Sequence, residues 1–546
     1  MTLINKVEKL KKNVNRSAYT ERILAQLEFA TELSWQRQKA YDGVVSKAAD
    51  MLIEYFENNG ALTKDICMEA ESIISELSSV AKEYVVHCVS HAHIDMNWMW
   101  GYQETASITV DTFRTVLDLM AEYPEFTFGQ SQASTYKIIE EYAPEMIDEI
   151  KKYVKEGRFE VTASTWVETD KNMPSGESLA RHILYTRRYL SKLLDIPAES
   201  LCLDFEPDTF GHNISVPEIC SKGGVKYYYH CRGSVEDPKH PAYVWKSRGE
   251  GSLLVWRDPQ WYNGDVSPAA FMKVPEICDN NGIKNFLYVY GVGDHGGGPT
   301  RRDVNKIIQM AEWPVMPKII FSTYKSFFKE LEKYKDKLPV RQGEMNFVFT
   351  GCYTSQAKIK MANRLAEDRM RESEALSTIA SEMANAPKRT ELYEKAWEKI
   401  LFNHFHDILP GSGVVDTREH ALGEFQKAMA CIMTGANSSM RAIAEDIDTS
   451  LIETEEKPCE TSEGAGVGFM TSGKEFYKMP VTERGNGKKR IIHVFNPTGF
   501  DFEGVCGTTM REERYSEIPK TNLAHISLLK AAADIGIISL KNLPCT

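Results

Sequence analysis

Histidines and aspartates gather at four places in this chain: His91-Ala92-His93-Ile94-Asp95, Glu206-Pro207-Asp208-Thr209-Phe210-Gly211-His212-Asn213, Gly293-Asp294-His295-Gly296-Gly297-Gly298-Pro299-Thr300, and Asn403-His404-Phe405-His406-Asp407 through Gly413. Imidazole nitrogens and carboxylate oxygens together suit zinc in a mixed site. In an extended segment alternate residues point the same way, so His93 and Asp95 can reach one ion, and His91 shares their face as a third or supporting ligand. A hydrogen-bonded loop with two satisfied histidines explains that motif equally well.

Each of the other three clusters has a plainer reading when taken alone. Asp208, between Pro207 and Thr209-Phe210-Gly211, sits in a tight turn and could cap a helix, as Asn213 or Ser215 could. The glycines after Asp294 let backbone approach a ligand closely. A flexible loop explains them too, and a phosphate loop would need a Lys-Ser or Lys-Thr pair after its last glycine, which is absent here. Pro410 and Gly411 stop a helix and fix His406 near its end, where a histidine is often only a favourable cation.

What lifts these clusters is their position relative to strands. Branched and aromatic runs predict strands at Tyr84–Ser90, Phe126–Ser131, Arg158–Ala163, Leu201–Phe205, Lys226–Cys231, Phe286–Gly291 and Lys318–Ser322. The first leads into His91, the fourth into Asp208, the fifth into Arg232 and the sixth into Asp294. In parallel α/β folds the C-terminal strand ends form the ligand-binding rim, so these clusters should meet in space.

The intervening segments, among them Tyr136–Val154 and Glu177–Leu193, have helical periodicity, so residues 84–345 read as an α/β domain with about seven mainly parallel strands, open or closed into an irregular (β/α) barrel. Residues 1–83 read as a packed amphipathic helical region. Residues 346–450 read as a three-helix bundle: one helix through Ile379, a break at Asn385-Ala386-Pro387, a second from Leu392, and a third from Ala421 to Ile447. Residues 451–490 are polar and Gly-rich, a linker or loop; Arg490–Phe495 reads as a strand opening a final segment, 491–546.

A chain of 546 residues needs two to four domains. Its net charge of −12 argues against a nucleic-acid-binding surface. The N-terminus has no apolar signal region and no run is long enough to span a membrane. The 11 cysteines are odd in number and scattered without a CxxC pair, which points to reduced thiols and the cytoplasm.

Taken in order, HAHID, EPDTFGHN, GDHGGGPT, GCYTSQAKIKMANR (Gly351–Arg364) and NHFHDILPGSG resemble glycoside hydrolase family 38, the zinc-dependent α-mannosidases, especially its bacterial and cytosolic-type members. The likeness runs from about His91 to Phe495. It implies an α/β barrel, a three-helix bundle and then β-sandwich modules. It implies one zinc per chain held by His93, Asp95, Asp208 and His406, although cobalt or manganese would also fit a mixed site. Asp208 would also be the nucleophile and Asp294 the acid/base, with His295 replacing a second Asp that some members carry. Trp98 is similar to the aromatic that stacks on the mannose ring, Arg232 to the family's active-site arginine, and Tyr353 lies in a segment like its Tyr-Thr motif. His493–Pro497 resembles the opening of the first β module, but the residues that follow depart from the family, so the C-terminus is expected to be curtailed.

The resemblance therefore implies a retaining α-mannosidase acting on an oligosaccharide or mannoside, with no nucleic acid or membrane partner and with room for a homo-oligomer. Two carboxyls about 5–5.5 Å apart achieve retention, one as nucleophile and one as acid then base. A zinc-dependent deacetylase or amidase, with metal-activated water, is the first alternative. An inactive, truncated family member is the second.

Overall fold

The computed structural model describes residues 2–233, 240–346, 348–449, 493–501 and 503. The chain divides into two compact units, Met1–Glu367 with Trp397–Ala428, and Asp368–Ala396 with Met429–Thr546.

Unit one begins with four helices, Leu3–Asn13, Ala18–Gln36, Asp42–Asn59 and Lys64–Ile74, as the amphipathic periodicity predicts. Ser17 caps the second through a reciprocal bond with Thr20, satisfying two backbone donors that a helix start leaves free. Arg22 grips the Glu71 carboxylate with two bonds of 2.6 and 2.7 Å, joining the second helix to the fourth. Gln26 Oε1 accepts from the Val315 backbone N–H at 3.0 Å, anchoring this layer to the α/β region.

Ten strands follow among the described residues: β1 Val85–His91, β2 Phe128–Gln130, β3 Phe159–Val161, β4 Leu203–Glu206, β5 Tyr227–His230, β6 Ala242–Lys246, β7 Ser252–Arg257, β8 Asn285–Tyr290, β9 Lys318–Phe321 and β10 Val340–Gln342. All seven sequence-read strands are present. β6, β7 and β10 are additional.

The first sheet runs β3-β2-β1-β8, every pair parallel. β9 pairs with the first half of β1, residues 85–88, and β2 with its end at Ser90 and His91. The second sheet runs β10-β6-β7-β5-β4, parallel except for the antiparallel β6–β7 pair. Strands buried on both faces need mostly apolar residues, which is why β8 reads as a nearly unbroken run from Phe286 to Tyr290. His87, inside β1, is tolerated because Ser322 and Asn285 satisfy its two nitrogens at 2.8 and 2.9 Å.

One periodic segment resolves into two helices, and two sequence expectations need correction. The segment Tyr136–Val154 is two helices, Ala133–Tyr142 and Ile147–Lys155, because Pro144 cannot continue the first and opens a short 3₁₀ turn instead. The last long helix begins at Val415, not Ala421. His493–Phe495 is not in a strand. Residues 490–492, the 451–490 linker and the tail from 504 lie outside the described residues.

The helices Ala357–Ala384, Thr390–Phe402 and Val415–Glu445 follow the α/β region. Within unit two Tyr393 Oη donates to the Ser373 carbonyl at 3.0 Å and Ser373 Oγ to the Ile432 carbonyl at 2.9 Å, so one buried serine links all three.

Candidate active site

The ladder register brings the clusters together. Glu206 of β4 lies opposite His230 of β5 in a parallel pair, so the residues two positions beyond each, Asp208 and Arg232, emerge side by side. Arg232 Nε donates to Asp208 Oδ1. The guanidinium also lies over Trp261 and Phe349, 5.0 and 4.9 Å from their ring centres. Asp208 is therefore an ion-pair acceptor, not a helix cap.

Beyond β1 the chain stays extended, and Ile94 pairs with His295 in an antiparallel bridge. This sets the Gly293–Thr300 loop against the histidine segment. The loop needs its glycines: Gly291, Gly296, Gly297 and Gly298 all have φ between +67 and +127, and a Cβ at Gly291 would run into the His91 carbonyl.

Three buried atoms converge here. His93 Nε2 lies 3.0 Å from Asp95 Oδ1, and His406 Nε2 lies 3.5 Å from the same oxygen. The two imidazoles are stacked, 5.4 Å apart and 11° from parallel. Asp208 Oδ2 stands 4.0 Å from His406 Nε2, at the edge of the cluster. Ligands about 2.0–2.1 Å from a tetrahedral zinc sit roughly 3.3 Å from one another, so these spacings bracket the value a metal needs. His93 Nε2, Asp95 Oδ1 and His406 Nε2 are buried without a hydrogen-bond partner. Each can offer a lone pair to one point, which is costly unless a cation lies there.

The local electrostatics agree. Burial alone would lower both histidines, but the carboxylates of Glu168 and Asp95 hold His93 well above the usual imidazole range. Asp95, Asp407 and Asp208 likewise outweigh burial and lift His406 to about 9. A field that holds protons so firmly on imidazoles also suits a divalent ion in their place. Burial raises Asp208 despite His406, His93 and Arg232, which pull it down.

His91 does not join this cluster. Its Nδ1 meets the Gly129 carbonyl at 2.8 Å and its Nε2 faces Glu168, 3.9 Å away. Trp98 is half-buried with its ring edge-on to Trp100 at 5.8 Å. Tyr353 accepts from Asn172 Nδ2 at 2.9 Å and is not among the atoms that converge with His93. Asp294 is half-buried at φ +68, and Tyr262 donates to its Oδ1 at 2.7 Å. The Tyr262 ring packs 4.8 Å from His93. Burial raises the Tyr262 phenol far above its usual range, and the carboxylates of Asp208, Asp294 and Asp95 raise it further, so it remains a donor.

The turn carrying His406 is itself pinned. His404 bridges Asn363 Oδ1 at 2.7 Å and His182 Nε2 at 3.1 Å, and its carbonyl accepts from the Asp170 N–H at 2.8 Å. Phe210 lies edge-on to His406 and also lines a cleft of about 400 Å³ with Asn172, Asn213, Glu344, Asn346 and Tyr353.

Residues 83–350 match the glycosyl hydrolases family 38 N-terminal domain, and residues 348–443 match the alpha mannosidase middle domain. The chain belongs to glycoside hydrolase family 38. Among its family 38 relatives, alpha-mannosidase G of Dictyostelium discoideum is 32% identical over 390 residues, 70% of this chain and 35% of that protein. An alpha-mannosidase of Saccharomyces cerevisiae is 30% identical over 350 residues, 60% of this chain and 32% of that protein. The chain thus spans about a third of the length of these relatives. The crystal structure of an alpha-mannosidase from Enterococcus faecalis V583 shares the α/β fold, with a TM-score of 0.62 and 22% identity over 68% of this chain and 44% of that one.

Two features of this family 38 site were missed in the sequence. Glu168 follows β3, which ends at Val161, too far along the chain for the strand-end rule that selected Asp208 to single it out. Tyr262 lies beyond β7, a strand the sequence reading did not include.

Proposed function

We propose that this family 38 chain is a zinc-dependent retaining α-mannosidase, removing terminal α-linked mannose from glycans or mannosides. The observation that carries the reading is the meeting of His93 Nε2, Asp95 Oδ1 and His406 Nε2, from segments more than 300 residues apart, with Asp208 at their edge. The mixed nitrogen and oxygen donors fit zinc. When bound, zinc supplies Lewis-acid templating of neighbouring mannose hydroxyls.

Asp208 attacks the anomeric carbon, forming a carboxylate–C1 bond as the glycosidic bond breaks. Asp294 gives its proton to the departing oxygen, and Tyr262, bonded to Oδ1, leaves Oδ2 to carry that proton. Water then attacks C1, Asp294 takes its proton, and the bond to Asp208 breaks. Arg232 orients Asp208 through Oδ1. Trp98 and Tyr353 supply substrate contacts, and the polar cleft behind Phe210 has room for more of a glycan. A deacetylase has no evident use for a carboxyl held in place at position 294.

We read the two sheets as an irregular barrel and the three linked helices as a bundle. The family matches, which meet near residue 350, support a division close to 345. No helix among the described residues is long and apolar enough to cross a membrane. Eight described cysteines are free thiols, which supports a cytoplasmic setting.

The test is product stereochemistry on an aryl α-mannoside, followed by NMR. The α-anomer of mannose should appear first, and activity should vanish with a chelator and return with zinc. Initial release of the β-anomer, or hydrolysis of an N-acetylated sugar instead, contradicts the reading.

A further inference from the structure

Glu168 takes no part in the chemistry above, yet it touches both imidazoles of the metal cluster. It is fully buried. Its Oε2 lies 2.7 Å from His93 Nδ1, while its Oε1 accepts from Ser131 Oγ at 2.5 Å. Its main-chain carbonyl accepts from His406 Nδ1 at 2.9 Å and from the His406 N–H at 3.3 Å. Its own N–H donates to Gln132 Oε1 at 3.1 Å, and Gln132 Nε2 donates to the Ile94 carbonyl at 2.9 Å. Ile94 stands between His93 and Asp95. One residue beyond β3 therefore ties together the histidine segment after β1 and the turn after the helix Thr390–Phe402.

We infer that Glu168 is the positioning residue of the metal centre, aiming His93 and His406 at one ion. The inference rests on the metal reading above. A neutral imidazole that keeps its proton on Nδ1 carries its lone pair on Nε2, so the partner of Nδ1 selects both the tautomer and the ring direction of a metal-binding histidine. The Glu168 backbone does this for His406 through a hydrogen bond, and its carboxylate, in ion-pair contact with His93 Nδ1 at 2.7 Å, favours a proton on that nitrogen. Both Nε2 atoms then face Asp95 Oδ1, at 3.0 and 3.5 Å. Ser131 occupies the other carboxylate oxygen, holding Oε2 toward His93. A carboxylate behind a ligating imidazole also makes that ligand more basic, strengthening its bond to a metal.

His91, with its Nε2 3.9 Å from Glu168 Oε1, frames the alternative, in which His91, His93 and Glu168 hold a second ion themselves. Metal stoichiometry separates the two.

The experiment uses the full chain stripped of metal, with zinc affinity measured by competition against a chromophoric chelator and the ligand field read from the visible spectrum of the cobalt-loaded protein. Glu168→Gln keeps the volume and one acceptor but loses the charge; Glu168→Leu loses both. Zinc affinity should fall about tenfold for Gln and about a hundredfold for Leu, the range that outer-sphere carboxylates typically control. The cobalt bands should shift in Leu and move back toward the parent in Gln. Circular dichroism and the Tm of the metal-free variants monitor folding; if Glu168→Leu does not fold, Glu168→Gln decides alone. Unchanged affinity and spectrum in the folded variants would overturn the inference. So would two ions per chain with one lost on substitution, which would make Glu168 a ligand. His93→Ala serves as the reference: if it too leaves zinc binding unchanged, the metal reading fails rather than the role of Glu168.

Discussion

The backbone N–H of Asp95 donates to the carbonyl of Asp294 across 2.8 Å. That bond sets the proposed metal-ligating carboxylate in register with the proposed acid/base, although they stand 199 positions apart in the chain. Any movement of the glycine loop therefore reaches the histidine segment directly.

Gly291 tests this coupling. Gly291→Ala would place a Cβ against the His91 carbonyl at φ +127. Left-handed strain and the clash together should cost about 2 kcal/mol or more, seen as a lowered Tm. An unchanged Tm would show that the loop is free to shift.

Asp208 is proposed both as nucleophile and as metal ligand, so one substitution should remove both properties. Asp208→Asn is expected to lower kcat by on the order of 10⁴-fold and to weaken zinc binding in the same protein. Retention of either property would separate the nucleophile from the metal cluster. Steady-state kinetics and chelator competition give the two readouts.

Tyr262→Phe keeps the ring against His93 but removes the hydroxyl on Asp294. A misplaced acid should lower kcat by about 10- to 100-fold while zinc affinity stays the same. Loss of metal together with activity would give Tyr262 a packing role instead.

Lys171 is fully buried between Asp204 and Glu206, 2.8 and 2.9 Å from their oxygens. Lys171→Met leaves two carboxylates facing each other without a cation. The expected loss is about 3–5 kcal/mol of unfolding free energy, measured by urea denaturation.

Asp258 provides a pH test away from the proposed metal site. Burial raises it from 3.8 to about 7, more than the Tyr229 hydroxyl and the Gln260 N–H pull it down. The native state therefore holds this proton more tightly than the unfolded chain. Its contribution to stability is full below pH 3.8 and is lost as pH rises through about 7. Asp258→Asn should lack that slope, gaining on the parent by on the order of a few kcal/mol between those limits. Parallel stability curves for the two proteins would show that Asp258 does not titrate this way.

Seven strands and the outline of the helices were legible because a strand buried on both faces leaves an unbroken apolar run and an amphipathic helix leaves a period. The hairpin β6–β7 was also written in the chain, as Ala-Tyr-Val-Trp-Lys and Ser-Leu-Leu-Val-Trp-Arg around Ser247–Gly251, and was overlooked. Missing it hid the strand end that presents Tyr262. Glu168 had the opposite history: its strand was recognised, but a lone glutamate among threonines carried no pattern of its own.

By itself the sequence determined which residues stand at strand ends, and the two-residue alternation that lets His93 and Asp95 face one way. Those are local consequences of backbone geometry. Only the tertiary structure decided that His406 closes the cluster, that Arg232 pairs with Asp208, and that His91 turns to Glu168 instead of joining Asp95 and His406. Those outcomes depend on ladder order, strand register and the path of a turn packed from more than 300 residues away, none of which is encoded within the reach of any one motif.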